Sequence, residues 1–199
     1  MSKDSSQNTP LIETFMGLSP EIDETAFIAG SAVVSGAVRI GADCSIWHNV
    51  TLRGDANYIT IGKGTNIQDN SCVHIDSSIY PTIIGEEVTI GHSAIIHACT
   101  LQDKSFVGMG AIIMDGAVVE TGAMVAAGAM VTPGKTIPSG ELWAGRPAKK
   151  MRELSAREID EISISAARYI EFGRAYRLGE AGGPYKLFKS RPLPPKSEG

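Results

Sequence analysis

Residues 101–137 read LQDKSFVGMGAIIMDGAVVETGAMVAAGAMVTPGKTI, and aliphatic side chains recur at every sixth position: Leu101, Val107, Ile113, Val119, Val125, Val131 and Ile137. Four residues after each of the first five anchors comes a small one, at Ser105, Ala111, Ala117, Ala123 and Ala129. A period of six excludes the 3.6-residue period of a helix, but it suits a short strand and a turn repeated around a prism. Three steps make a coil of about 18 residues, whose inward aliphatics stack at the roughly 4.8 Å spacing of neighbouring strands.

Upstream the same series runs through Ile28, Val34, Ile40, Ile46 and Leu52, then Ile61, Ile67 and Val73, then Ile84, Ile90 and Ile96. Eighteen anchors in all predict an all-β solenoid of about six coils. Residues 1–25 read as an N-terminal arm, 26–149 as the solenoid, and 150–199 as a C-terminal helix and tail. The helix is signalled by a capping box, Ser155 with Glu158, followed by Ile159, Ile162, Ala166, Tyr169, Ile170 and Tyr176 at helical spacing. The tail after Gly179 is rich in Pro, Gly and Lys and suggests an extended arm or disorder.

The chain has 199 residues and a formal net charge of −4, without runs of like charge, so neither nucleic acid nor an anionic membrane is an expected partner. No stretch approaches the roughly 18 apolar residues of a membrane helix, and the N-terminus carries no signal-peptide pattern; the expected compartment is the cytoplasm. Cys44, Cys72 and Cys99 are odd in number and form no C-x-x-C, so each is expected to be a small buried residue.

The repeat converts sequence distance into spatial position. Val73 and Ile96 are three steps apart, because the segment between Val73 and Ile84 carries about five extra residues; His74 and His97 then share a face on consecutive coils. Side chains stacked about 5 Å apart can converge on one ion. His92 follows anchor Ile90 on the preceding face and does not readily reach the same point within its own chain. Three prisms packed about a threefold axis would bring that face against a neighbour's His74 and His97, so the pattern predicts a homotrimer with three intersubunit sites. Arg53 falls in the column of His74 and His97, while Gln68 and Asp69 lie one coil below Gly91 and His92.

The ordered set Arg53-Gly54-Asp55, Gln68-Asp69-Asn70, His74, Gly91-His92 and His97 resembles that of the γ-class carbonic anhydrases, and the repeat over residues 26–149 resembles the hexapeptide-repeat superfamily. The resemblance implies a left-handed parallel β-helix, a hand that the usual crossover rule does not supply. It further implies metal binding by His74, His92 and His97, with Zn2+ or alternatively Fe2+ or Co2+, and reversible hydration of CO2 to bicarbonate. Gln68 would orient water or a substrate oxygen. Arg53, Asp55 and Asp69 would hold the imidazoles and join subunits, and Tyr169 could point its hydroxyl into the cleft. His48 shares the column of Asp69 and His92 and reads as an interface or surface residue.

Only 17 residues separate His74 from His92, and SSIYPT offers no carboxylate beyond Asp76. This is similar to family members without the acidic loop, some of which hydrate CO2 weakly or not at all. Three alternatives follow from the same residues: a coenzyme A-dependent acyltransferase using a histidine base, a non-catalytic trimer stapled by metal or ion pairs, and a hydrolase or thioesterase using the same hydroxide.

Overall fold

The computed structural model describes residues 9–178. The C-terminal tail beyond Leu178 lies outside the described residues. The chain winds as a left-handed parallel β-helix with three flat faces, each a ladder of short parallel strands one coil apart. On the first face the inward anchors are Ile12, Val34, Leu52, Val73, Ile96, Ile113 and Val131. The second stacks Ile22, Ile40, Ile61, Ile84, Leu101, Val119 and Ile137. The third stacks Ile28, Ile46, Ile67, Ile90, Val107, Val125 and Trp143.

Seven rungs per face make about seven turns, against the six expected. The difference lies at the ends. Leu11–Glu13 and Glu21–Ile22, within the segment read as an arm, pair in parallel with Val33–Ile40. At the other end the anchor position is taken by aromatic Trp143, outside the aliphatic series. Lys149–Glu153 then turns back antiparallel on Glu141–Ala144 and closes the prism.

The interior is one continuous aliphatic column, with Val34, Leu52, Ile67, Ile90, Ile96, Leu101 and Ile113 all fully buried. At the corners the small residues allow tight turns. Where Val33–Ile40 and Thr51–Ile61 run unbroken from the first face to the second, Gly36 has φ +76°, and a Cβ there would meet Gly54 O at 2.2 Å. Cys44 and Cys99 are buried as expected, whereas Cys72 is exposed because it occupies an outward position beside Ile95 on the first face.

The C-terminal helix, Ala156–Leu178, packs along the third face. Its capping box is closed in both directions: Ser155 N–H donates to Glu158 Oε2 at 2.9 Å, and Glu158 N–H donates to Ser155 Oγ at 3.3 Å. Arg152 adds a two-pronged contact to Glu158, 2.8 Å on each oxygen. Ile162, Ala166 and Gly173 form the buried stripe, Ile162 joining Leu142 and Leu154 in a satellite cluster. Gly173 sits where a Cβ would meet Ser45 Cβ at 3.1 Å and Phe27 Cβ at 3.3 Å, so the helix rests almost on the sheet. Ile159, the first of the apolar residues at helical spacing after the capping box, lies outside this seam and is 47% exposed. Ile162→Ala should therefore cost about 2–5 kcal/mol, read as a lower denaturant midpoint, while Ile159→Ala should stay within about 0.5 kcal/mol. Equal costs would show that the helix docks by another face. No helix among the described residues is long and apolar enough to cross a membrane.

Candidate metal centre

Two groups of polar side chains occupy the two edges of the first face. At the edge towards the second face, His74 and His97 are direct partners on neighbouring rungs, each one residue past its inward anchor. His74 Nδ1 and His97 Nε2 face one another at 3.3 Å. The other nitrogen of each ring is held by a carboxylate: His74 Nε2 lies 3.2 Å from Asp55 Oδ1, and His97 Nδ1 lies 2.6 Å from Asp115 Oδ1. Arg53, one coil below His74, pairs with the second oxygen of Asp55.

Burial is the largest effect on His74 and pushes its pKa below the ordinary histidine value; the hydrogen bond to Asp55 offsets this only in part, and the charge of Arg53 reinforces it. The net effect favours the neutral form of the ring, the form in which an imidazole can ligate a cation. Burial also pushes Asp55 up, but its hydrogen bonds from Arg53 and His74 outweigh it and hold the carboxyl below the usual range.

At the opposite edge, His92 Nδ1 lies 2.9 Å from Asp69 Oδ2, and His48 Nδ1 lies 3.4 Å from Asp69 Oδ1, so one carboxylate bridges two imidazoles. Gln68 does not join them within the chain. It is buried and donates from Nε2 to Asn66 Oδ1 at 3.1 Å, in a polar chain that runs on from Asn66 Nδ2 to Thr89 Oγ1 at 2.9 Å under the helix. Tyr169 reaches this edge from the helix, in a cleft with Trp47, His48, Asp69, Phe172 and Tyr176.

The chain therefore brings Arg53, Asp55, His74 and His97 together at one edge and Asp69, His92 and Tyr169 at the other. No cluster of three or more metal-ligating side chains forms among the described residues of one chain. Asp115 was not singled out from the sequence. It lies two residues past anchor Ile113, one coil above His97 on the side without a histidine. The extra residues after His74 form a tight turn instead of an acidic loop: Asp76 accepts from the N–H groups of Ile79 at 2.7 Å and Ser78 at 3.0 Å, which pull its pKa down to about 2.

The donor set fits a cation of borderline softness. Two nitrogens each about 2.0–2.1 Å from a tetrahedral ion lie roughly 3.3–3.4 Å apart, which is the separation of the two facing histidine nitrogens. The three aspartates, one per histidine, match the carboxylate–histidine pairs that orient ligands at such sites.

Comparison with known proteins follows the same line. No family model matches the chain. It is 52% identical over 167 residues to gamma carbonic anhydrase 1, mitochondrial, of Arabidopsis thaliana, covering 81% of this chain and 61% of that protein. The chain thus spans less than two thirds of the length of the plant relatives it matches. A probable carbonic anhydrase of Methanocaldococcus jannaschii is 52% identical over 150 residues, covering 75% of this chain and 94% of that one. Among solved structures, a hexapeptide transferase family protein from Anaplasma phagocytophilum has a TM-score of 0.81 at 52% identity, covering 83% of this chain and 98% of that one.

Proposed function

Because the chain belongs to the γ-class carbonic anhydrase family, we propose that it interconverts CO2 and bicarbonate at metal sites shared between the subunits of a homotrimer. The observation that carries this reading is the 3.3 Å between His74 Nδ1 and His97 Nε2, with Asp55 and Asp115 holding the far side of each ring. His92, its Nδ1 occupied by Asp69, would supply the third nitrogen from a neighbouring chain. Zinc is the first candidate, with iron or cobalt as alternatives; when bound, such an ion acidifies water towards a pKa of about 7 and so supplies hydroxide near neutrality.

The protein's own residues then have separable tasks. Asp55, Asp69 and Asp115 fix the tautomer and orientation of His74, His92 and His97. Arg53 steadies Asp55 and is free enough, with its side chain 49% exposed, to meet Asp69 of a neighbour. Gln68, anchored on Asn66, would orient water or a substrate oxygen. Tyr169 keeps its proton, since burial first and the charge of Asp69 second raise its pKa, and would donate a hydrogen bond at the cleft.

The trimer reading is supported by the face between the two histidine edges. Its outward row includes Cys72 and Ile95, both exposed, and the helix covers the third face instead of this one. The three free cysteines fit a reducing, cytoplasmic compartment.

Metal analysis of protein purified without chelator, joined to stopped-flow CO2 hydration, tests the proposal. About one metal per chain is expected from three equivalent sites per trimer, with hydration lost on chelation and regained on adding zinc, iron or cobalt. Metal without hydration in any of these forms would overturn the carbonic anhydrase reading in favour of ester or thioester hydrolysis or of a structural trimer. A metal-free protein would favour acyl transfer, against which the names of the curated relatives weigh.

A further inference from the structure

The two ends of the prism differ. At the C-terminal end the last anchor of the second face, Ile137, is fully buried, and Lys149–Glu153 turns back over the coil. At the N-terminal end Ile12 holds an inward anchor position, stacked on Val34, yet is 42% exposed. Leu11–Glu13 and Glu21–Ile22 pair with Val33–Ile40 on one side, and no strand pairs with their other side among the described residues. Such an end presents a section through the apolar core and a row of open backbone groups, which terminal caps ordinarily cover.

The apolar surface continues into the next corner. Phe15 and Leu18 exchange backbone hydrogen bonds of 2.9 Å across a two-residue turn, with Met16 at φ +48° and Gly17 at φ +84°. Phe15, Met16 and Leu18 are all exposed, Met16 by 87%. The same coil carries Glu13, Glu21, Asp23 and Glu24, all exposed, and residues 9–30 contain no lysine or arginine. Arg39, one coil on, pairs with Glu21 at 2.8 Å. The end is therefore apolar with an acidic rim.

A segment of matching chemistry is tethered beside it. The helix runs along the third face towards this end: Gly173 rests on Phe27 and Ser45, and the Tyr176 ring lies 5.4 Å from that of Phe27 on the first coil. The described helix ends at Leu178, so residues 179–199 start next to the open end. Seven extended residues, enough to reach Tyr185, span about 23–25 Å, whereas the six-residue side of the prism is about 20 Å long. Residues 184–191 read PYKLFKSR: Tyr185, Leu187 and Phe188 are apolar, Lys186, Lys189 and Arg191 are basic, and there is no carboxylate. A second copy stacked end to end would instead set one acidic rim against another.

We infer that residues 184–191 fold back over the open end of the prism as its cap, held by apolar contact with Ile12, Phe15 and Leu18 and by the charge of Glu13 and Glu24. The tether holds the segment at an effective concentration in the millimolar range, so modest contacts suffice. The cap lies three coils from His74 and needs neither metal nor hydration.

Hydrogen exchange read by mass spectrometry tests this on the 199-residue chain and on a chain ending at Leu178, which keeps the whole described helix. Amides of residues 11–22 should exchange about tenfold faster in the shorter chain, with those of the central coils unchanged. A 199-residue variant carrying Lys186→Glu, Lys189→Glu and Arg191→Glu should show the same local loss, and adding Glu13→Lys with Glu24→Lys should recover the protection. Equal exchange at residues 11–22 in the two chains would overturn the assignment. So would protection that survives truncation and grows with protein concentration, which would assign the end to a second copy. Should the shorter chain not fold, the charge-reversed chain decides: wild-type exchange there, or no recovery on reversing Glu13 and Glu24, would equally overturn it.

Discussion

His97→Ala protein is expected to lose metal affinity by more than about 100-fold and, with it, CO2 hydration. The threshold follows from the two kinds of contact His97 makes. Removing only its carboxylate partner, as in Asp115→Asn, leaves the imidazole in place but frees its orientation, a change that typically costs about 10–100-fold in metal affinity or activity. Removing the imidazole itself takes away one of the two nitrogens that lie 3.3 Å apart on this chain, and the cost should exceed that range. His48→Ala is the matched control. Its ring is also near a carboxylate, at 3.4 Å from Asp69, but it is not among the proposed ligands, so metal content should stay at the wild-type level. Competition against a chelator of known affinity measures all three. Wild-type affinity in His97→Ala would show that the metal does not sit between His74 and His97.

The sequence was most legible where the physics is periodic. Every aliphatic anchor from Ile28 to Ile137 had to face inward for its coil to close, so the register that aligns His74 with His97 could be counted directly, even across the extra residues after His74. The ends were less legible for a physical reason. Ile22 and Trp143 lie six residues outside the first and last anchors, but neither continues an unbroken aliphatic series: Ile12 precedes Ile22 by ten residues, and Trp143 is aromatic.

Side-chain partners were legible only where the column was followed. Asp55 and Asp69 emerged from coils below the histidines, while Asp115 sits above His97 and escaped notice. Gln68 shows another limit. Asn66 lies two residues before it and Thr89 is the register partner of Asn66, so these hydrogen bonds follow the repeat, but their burial comes with the helix packed over that face, a long-range packing event that no local spacing encodes. Cys72 was misjudged for the converse reason. Residue type suggested burial, and strand alternation turned it outward.

Mixed trimers of two defective variants should recover metal that neither variant holds alone. The expectation rests on His92 lying at one edge of the first face and His74 with His97 at the other. In a homotrimer of His92→Ala, every junction has His74 and His97 but lacks the third nitrogen. In a homotrimer of His97→Ala, every junction has His74 and His92 but lacks the second. When a chain of each kind meets in the orientation that joins the intact His74/His97 edge of the first to the intact His92 of the second, one complete site forms. The junction made in the opposite sense retains His74 alone. A trimer containing both variants has one such complete junction whichever variant supplies two chains, so refolding them together should restore up to about a third of the wild-type metal per mixed trimer, and a matching part of any hydration. Chains carrying different affinity tags allow the mixed species to be isolated before elemental analysis. If all three nitrogens came from one chain, no mixture could assemble a site, and mixed trimers without metal, beside wild-type chains that regain it under the same refolding, would refute the intersubunit centre.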